Sequence, residues 1–463
     1  MRATAPGTAF VSKAPKLGLV GGFDGMRGIG VCMVLVGHAL FEYVESWVTI
    51  VDTFFVLSGF LITTLLLQET RTTGKIDLKK FYSRRAIRLF PSLWLFVGVW
   101  LVISTVSTLV GFEVLSLRYV GQDAAAAVLY VYHLFFPNGL YVIEPTIQGD
   151  RTMWHLWTLS VEEWFYAVIA GTVLICVRRR WIAQLGMLMV AVFLAVGVAR
   201  WFAYTGFYQD DQDMIAGVRM ALLQRPDALM LGVALACANA YMDEERMDRI
   251  RRPMIVASTV GLAVWFVMLN LSSGLVKKLG GPYFDYLPSG PDEFTRPQML
   301  DTMYWFRFGH TLGAIGFGLI LVGLVRYRDW WAARFLSLRP FQSLGRLSYT
   351  LYVWHALPYI ILMALLGGAD ASLPVQLART PILIAAAFAV SIPVYRLVEL
   401  RVLRMKLRYS AEKEVLDLTT GKMVSVDSAG GVESIGEPDR VLSADEVGGP
   451  PGTDQPPGPP GPG

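Results

Sequence analysis

Long apolar runs recur along most of the chain, separated by short polar segments that hold most of its Arg and Lys. About 20 apolar residues cross the hydrocarbon core of a bilayer as a helix. On that length the pattern predicts ten spans, at 27–45, 49–68, 89–111, 156–177, 182–203, 219–240, 254–273, 303–325, 343–366 and 380–401. The apolar segment Ala124–Pro137 is too short to cross and reads as a re-entrant or interfacial helix. The expected fold is all-α: a polytopic membrane bundle of ten transmembrane helices plus that short helix, over residues 21–405. A short basic cytoplasmic arm, 1–20, precedes it. Residues 406–463 turn polar, then acidic, and end in PPGPPGPG. Such a composition cannot build a core, so a disordered cytoplasmic tail is expected there.

Loop charge tests the span count. With the N-terminus inside, the inner loops 69–88, 178–181, 241–253 and 326–342 hold 18 Arg and Lys. The outer loops 46–48, 112–155, 204–218, 274–302 and 367–379 hold 6. Cytoplasmic loops carry the excess of positive charge, so both termini are expected inside. Making Ala124–Pro137 a full span would invert everything after it and put Arg178, Arg179 and Arg180 outside. Composition agrees, with 54% hydrophobic and 17% charged residues, against about 25% charged in soluble domains. The net charge of +4 belongs to helix ends and implies no nucleic-acid surface. Cys32, Cys176 and Cys237 each lie in apolar runs as small buried residues. No Cys or His spacing suggests a metal. The first 20 residues contain no apolar h-region, so no cleavable signal peptide is expected.

Ionisable groups are costly inside a bilayer and mark function by default. Arg27 and His38 lie eleven residues apart. That is about three helical turns, so they share one face, roughly 16 Å apart in depth. Asp24 could pair with Arg27 at the start of the helix. In the next inner loop Arg84, Arg85 and Arg88 form a cluster, with Arg84 and Arg88 on one face. Arginine clusters bind phosphates, although a stop-transfer cluster would look the same. The fourth span enters as Trp154-His-Leu-Trp-Thr-Leu-Ser160-Val-Glu162-Glu163-Trp-Phe-Tyr166. Glu162 or Glu163 should face the bundle, and Glu162 lies at about the depth of His38, where a carboxylate would orient an imidazole. His355, near mid-span, is a second candidate for the cavity. Other intramembrane polar residues are Ser58, Arg225, Asp227, Arg307, His310, Arg346, Arg396 and Glu399.

Five segments in order carry a resemblance. Phe23-Asp-Gly-Met-Arg-Gly-Ile29 followed by His38 resembles the opening motif of the acyltransferase-3 family of integral membrane acyltransferases. Val51-Asp-Thr-Phe-Phe-Val-Leu-Ser-Gly-Phe-Leu-Ile62 resembles its second-helix motif, and Arg84 to Arg88 its RxxxR motif. Trp157-Thr-Leu-Ser-Val-Glu-Glu-Trp-Phe-Tyr166 is similar to its W-S-L-S-V-E-E-Q-F-Y segment. Leu344-Gly-Arg-Leu-Ser-Tyr-Thr-Leu-Tyr-Val-Trp-His355 resembles its ninth-helix motif. The match covers roughly residues 20–405. It implies ten core helices, an acyl-CoA donor arriving from the cytoplasm, an essential Arg27 and His38 pair, and RxxxR arginines that bear on the donor. Trp164 stands where the family usually has Gln, and Thr158 where it usually has Ser. No extracytoplasmic hydrolase-like domain is seen in the sequence, so a second step is expected to need a separate protein.

These readings converge on a membrane O-acyltransferase. It would move an acyl group, acetyl or another short acyl, from cytoplasmic acyl-CoA to a hydroxyl of a cell-envelope glycan or glycolipid. The expected setting is a bacterial inner membrane, in contact with its lipids. His38 suits the base, with Arg27 and Glu162 beside it. Arg27, Arg84, Arg85 and Arg88 are assigned to the donor, and Asp24, Ser160, Glu163 and His355 to the acceptor. No GxSxG elbow or Ser–His–Asp order appears, and Ser58 stands before Gly59, a residue that lets helices pack closely. Direct transfer is therefore favoured over an acyl-serine. A transporter or flippase of an acylated lipid or glycan is the rival of another class, and a small-molecule acceptor such as an antibiotic sugar a weaker variant.

Overall fold

The computed structural model describes residues 10–40, 43–111, 116–135, 151–202, 225–285, 304–368, 371–402, 414–417 and 422–425. Residues Met1–Leu403 form one compact unit and Arg404–Gly463 a second. In the first, the long helices are α1 Gly21–Ala39, α2 Ile50–Thr73, α3 Leu78–Leu109, α4 Leu117–Val128, α5 Trp157–Arg179, α6 Ile182–Phe202, α7 Pro226–Ala240, α8 Arg251–Asn270, α9 Gly309–Arg326, α10 Arg339–Trp354, α11 Ala356–Leu365 and α12 Leu373–Val394. Each predicted span overlaps one of these helices or, for 343–366, the pair α10–α11.

Seven segments among the described residues are long and apolar enough to cross a membrane, built on α2, α3, α5, α6, α8, α9 and α12. The bent pair α10–α11 makes eight. The expected ten is not reached on length and composition, for two physical reasons. The described α7 has 15 residues, about 23 Å, against a core of about 30 Å. Residues 219–224 of its predicted span lie outside the described residues. α1 has 19 residues but carries Asp24, Arg27, His38 and six glycines. It affords this polarity because protein encloses it. A methyl group at Gly28 would overlap the Phe341 carbonyl, and one at Gly345 the Asp24 carbonyl, so α1 and α10 meet backbone to backbone. Gly59 and Gly232 do the same for α2 and α7, each facing a carbonyl of the other helix.

Three local features position the site. Asp77 caps α3 by accepting the Lys80 backbone N–H at 3.0 Å, which holds its carboxyl below the usual carboxylate range. The helix thus starts eleven residues before the predicted span at 89, and Arg84, Arg85 and Arg88 are helical. α4 begins earlier than the predicted Ala124 and, at 12 residues or about 18 Å, is too short to cross. Its buried Asp123 accepts the Thr152 and Met153 backbone N–H groups at 2.9 and 3.2 Å, tethering the entry to α5. Between α10 and α11 the chain bends by 58° around His355, where Pro358 cannot donate to the Trp354 carbonyl.

The described part of the arm lies along three helix ends. Phe10 N–H donates to Val177 O at 3.0 Å and Lys13 N–H to Ala240 O at 2.7 Å, while Gln68 and Arg71 of α2 donate to Pro15 O and Ala14 O. In the second unit, β1 Glu414–Asp417 and β2 Lys422–Ser425 pair antiparallel with Glu414 opposite Ser425, a hairpin that composition does not foretell. The remainder of the expected disordered tail lies outside the described residues.

Candidate active site

The spacing 27, 31, 34, 38 places Arg27, Val31, Val34 and His38 on one stripe of α1. The first three line a cavity of about 210 Å³ whose other walls come from α2, α3, α5 and α10. Its surface is mostly apolar, with polar groups gathered at Arg27, Ser58, Arg85, Arg88 and Glu162. The lining ends at Val34 on this helix, one turn or about 6 Å below His38.

The arginines divide into two kinds. Arg85 donates from Nε and Nη2 to Glu163 Oε1 at 3.3 and 2.9 Å and lies 3.5 Å over the Tyr166 ring. Its charge is already matched. Arg84 is 3.7 Å from Glu69 and outside the cavity lining. Arg27 and Arg88 line the cavity and make no ion pair within 4.0 Å among the described residues. Asp24, three residues before Arg27, makes no ion pair with it within 4.0 Å, contrary to the expected pairing.

The two glutamates also diverge. Glu162 lines the cavity and accepts the Ser58 hydroxyl at 2.8 Å, while Glu163 holds Arg85. Glu162 therefore does not orient His38. Ser160 bonds back to Leu156 O at 3.3 Å and is buried away from the cavity.

The partner of His38 is another imidazole. His38 Nδ1 lies 2.8 Å from His355 Nε2, with the rings edge to edge, their planes 16° apart and their centroids 5.0 Å apart. His355 Nδ1 is 2.7 Å from Tyr352 O. A third ring, His155, has its centroid 5.1 Å from that of His355 and its Nε2 3.0 Å from Val353 O. The edge of Trp154 closes the cluster against His38. No group of three or more His, Cys, Asp or Glu able to hold a metal occurs among the described residues.

A second buried polar cluster joins α2, α6, α7 and α9. Asp52 lies 2.7 Å from His310 Nδ1 and 3.5 Å from Arg225 Nη1. Arg225 also donates to Val48 O at 2.9 Å. Arg200 pairs with Asp227 at 2.9 Å and donates to Thr311 at the same distance.

The profile described as an acyltransferase domain, that of the acyltransferase-3 family, matches residues 20–396, most of the chain. The chain belongs to the acyltransferase-3 family. Among curated relatives, O-acetyltransferase OatA of Staphylococcus aureus (strain NCTC 8325 / PS 47) is 25% identical over 352 residues, 72% of this chain and 49% of the relative. Putative O-acetyltransferase SACOL0978 of Staphylococcus aureus (strain COL) is 26% identical over 361 residues, 74% of this chain and 51% of the relative. The chain spans about half the length of these relatives. No solved structure matches it.

The two departures from the family pattern fall differently in space. Trp164 is 49% exposed on the outer flank of α5 and donates to Tyr130 O at 3.0 Å, so the missing Gln does not open the cavity. Thr158 keeps a hydroxyl, 2.6 Å from Tyr352 OH on the cavity wall. His155, Asp52 and Arg200 were not singled out by the sequence reading. Asp52 lies inside a family-like segment and His155 two residues before one, and those positions are their only signal. Arg200, at a predicted span end, reads as an ordinary anchor.

Proposed function

We propose that this chain is a membrane O-acyltransferase that moves an acyl group, acetyl or another short acyl, from cytoplasmic acyl-CoA to a hydroxyl of an envelope glycan or glycolipid on the outer side of a bacterial inner membrane. The observation that carries this reading is the single stripe of α1, on which Arg27 at one end of the cavity is followed by two lining valines and then by His38. Acyl transfer from a thioester to an alcohol requires a placed donor, a base for the hydroxyl proton and a steadied oxyanion. His38 is the base. Arg27 and Arg88, both without a carboxylate partner among the described residues, are the guanidinium groups left to meet the donor's phosphates. Arg85 and Glu163 hold α3 against α5 and keep that mouth in shape. The O-acetyltransferase names of the relatives support an acetyl donor and an oxygen acceptor.

Acyl transfer by purified protein in proteoliposomes tests this. Arg88→Ala is expected to raise the donor KM about 10- to 100-fold, since a charge-assisted hydrogen bond contributes about 1.5–3 kcal/mol and about 1.4 kcal/mol is tenfold. Arg84→Ala should move it about twofold or less, because Arg84 faces Glu69 outside the cavity. An unchanged donor KM in the Arg27→Ala/Arg88→Ala double variant would place the donor elsewhere. Movement of an intact acylated lipid with no acyl transfer would instead establish the transporter reading. For orientation, a cysteine introduced at position 292 should label from the outer face and one at 246 should not. The reverse pattern would invert the donor path.

A further inference from the structure

We infer that His355 is a positioning residue that fixes His38 in the tautomer protonated on Nδ1, leaving Nε2 as the base nitrogen. The inference rests on the reading of His38 as the general base and says how that base is set.

The argument follows the protons. A carbonyl oxygen only accepts, so His355 Nδ1, 2.7 Å from Tyr352 O, must carry a hydrogen. A neutral imidazole carries one, which leaves His355 Nε2 as a lone pair. His38 Nδ1 lies 2.8 Å from that lone pair and must therefore donate. The hydrogen on His38 is then on Nδ1 and its Nε2 is bare. His155 cannot substitute as the donor, because its hydrogen goes from Nε2 to Val353 O at 3.0 Å. Its Nδ1 has no hydrogen-bond partner among the described residues. A protonated His355 would reverse the outcome, donating from Nε2 and forcing His38 to accept on Nδ1. Among the described residues no carboxylate bonds to any of the three rings, and both His155 and His355 are 1% exposed. A buried unpaired cation is costly, so the neutral form is the one this site holds. The bend at His355 presents both carbonyls, of Tyr352 and Val353, to the rings.

In the transfer step, the acceptor hydroxyl proton moves to His38 Nε2 as its oxygen attacks the thioester carbonyl carbon. The tetrahedral adduct collapses, the C–S bond breaks and the leaving thiolate takes the proton back from Nε2. Throughout, Nδ1–H stays bonded to His355, so the transient imidazolium rests on a neutral acceptor where other enzymes use a carboxylate.

The test is ¹⁵N NMR of histidine-labelled protein in bilayers, whose five histidines are assigned by single substitutions. Wild type without substrate is expected to show His38 protonated on Nδ1 and bare on Nε2. His355→Leu should mix the two tautomers and lower kcat about 10²-fold with the donor KM unchanged. His355→Gln, whose amide oxygen can accept from Nδ1, should restore the tautomer and bring kcat back to within about tenfold of wild type. Wild-type His38 protonated on Nε2, or His355→Leu with wild-type kcat, would overturn the inference. The wild-type spectrum decides the matter even where His355→Leu does not fold. An active His38→Ala protein sinks the base assignment itself, whereas a reversed tautomer with inactive His38→Ala sinks only the role of His355.

Discussion

Replacing His38 by alanine is expected to lower acyl transfer by about 10²–10⁴, the range over which a general base acts, while the protein still inserts and still binds acyl-CoA. The separation of effects follows from place. His38 lies one turn beyond the cavity lining, so its removal leaves the groups proposed for donor binding untouched. His38→Gln should not rescue transfer, since an amide can hydrogen-bond a hydroxyl but cannot take its proton. Arg27→Ala should differ by weakening donor binding as well as turnover. A His38→Ala protein retaining more than about a tenth of wild-type kcat would contradict the base role and move it to His355 or Glu162.

The largest loss of stability is expected at Asp52, not at the cavity. Asp52 is 1% exposed and faces both Arg225 and His310. Asp52→Leu removes a buried carboxylate that lies 3.5 Å from Arg225 and 2.7 Å from His310 and puts an apolar side chain against both. Breaking a buried pair from one side costs about 3–5 kcal/mol. Asp52→Asn, which keeps an acceptor oxygen for His310, should lose less. The folded fraction after graded heating in detergent, read by size-exclusion fluorescence, measures both. An Asp52→Leu protein with the wild-type midpoint would mean that the neighbouring groups already balance Arg225.

What the sequence made legible follows from what a single helix can encode. Periodicity on α1 places Arg27 and His38 on one face, because eleven residues close three turns whatever surrounds the helix. The expectation that Glu162 orients His38 fails because depth along two separate helices says nothing about their rotation. Glu162 turns toward Ser58, and the imidazole partner comes from a residue 317 positions away. The RxxxR pair splits for a related reason. Both arginines share a face of α3, but Glu69 beside Arg84 and Glu163 beside Arg85 decide which guanidinium groups are already neutralised. Those neighbours lie on other helices. The count of ten is not reached on length and composition among the described residues, since α1 is too polar and the described part of α7 too short, although both are packed in the bundle.

The backbone contact between α1 and α10 also sets a clock on biosynthesis. Gly28 meets its partner surface only after Gly345 has emerged, more than three hundred residues later. At about 5–20 residues per second, the helix bearing Arg27 and His38 waits roughly 15–60 s before the surface that encloses it exists. During that interval its charges face lipid, the insertion machinery or water. Ribosomes stalled between α2 and α9 should therefore carry α1 in a form open to membrane proteases and chaperones, and it should become resistant once α10 is made.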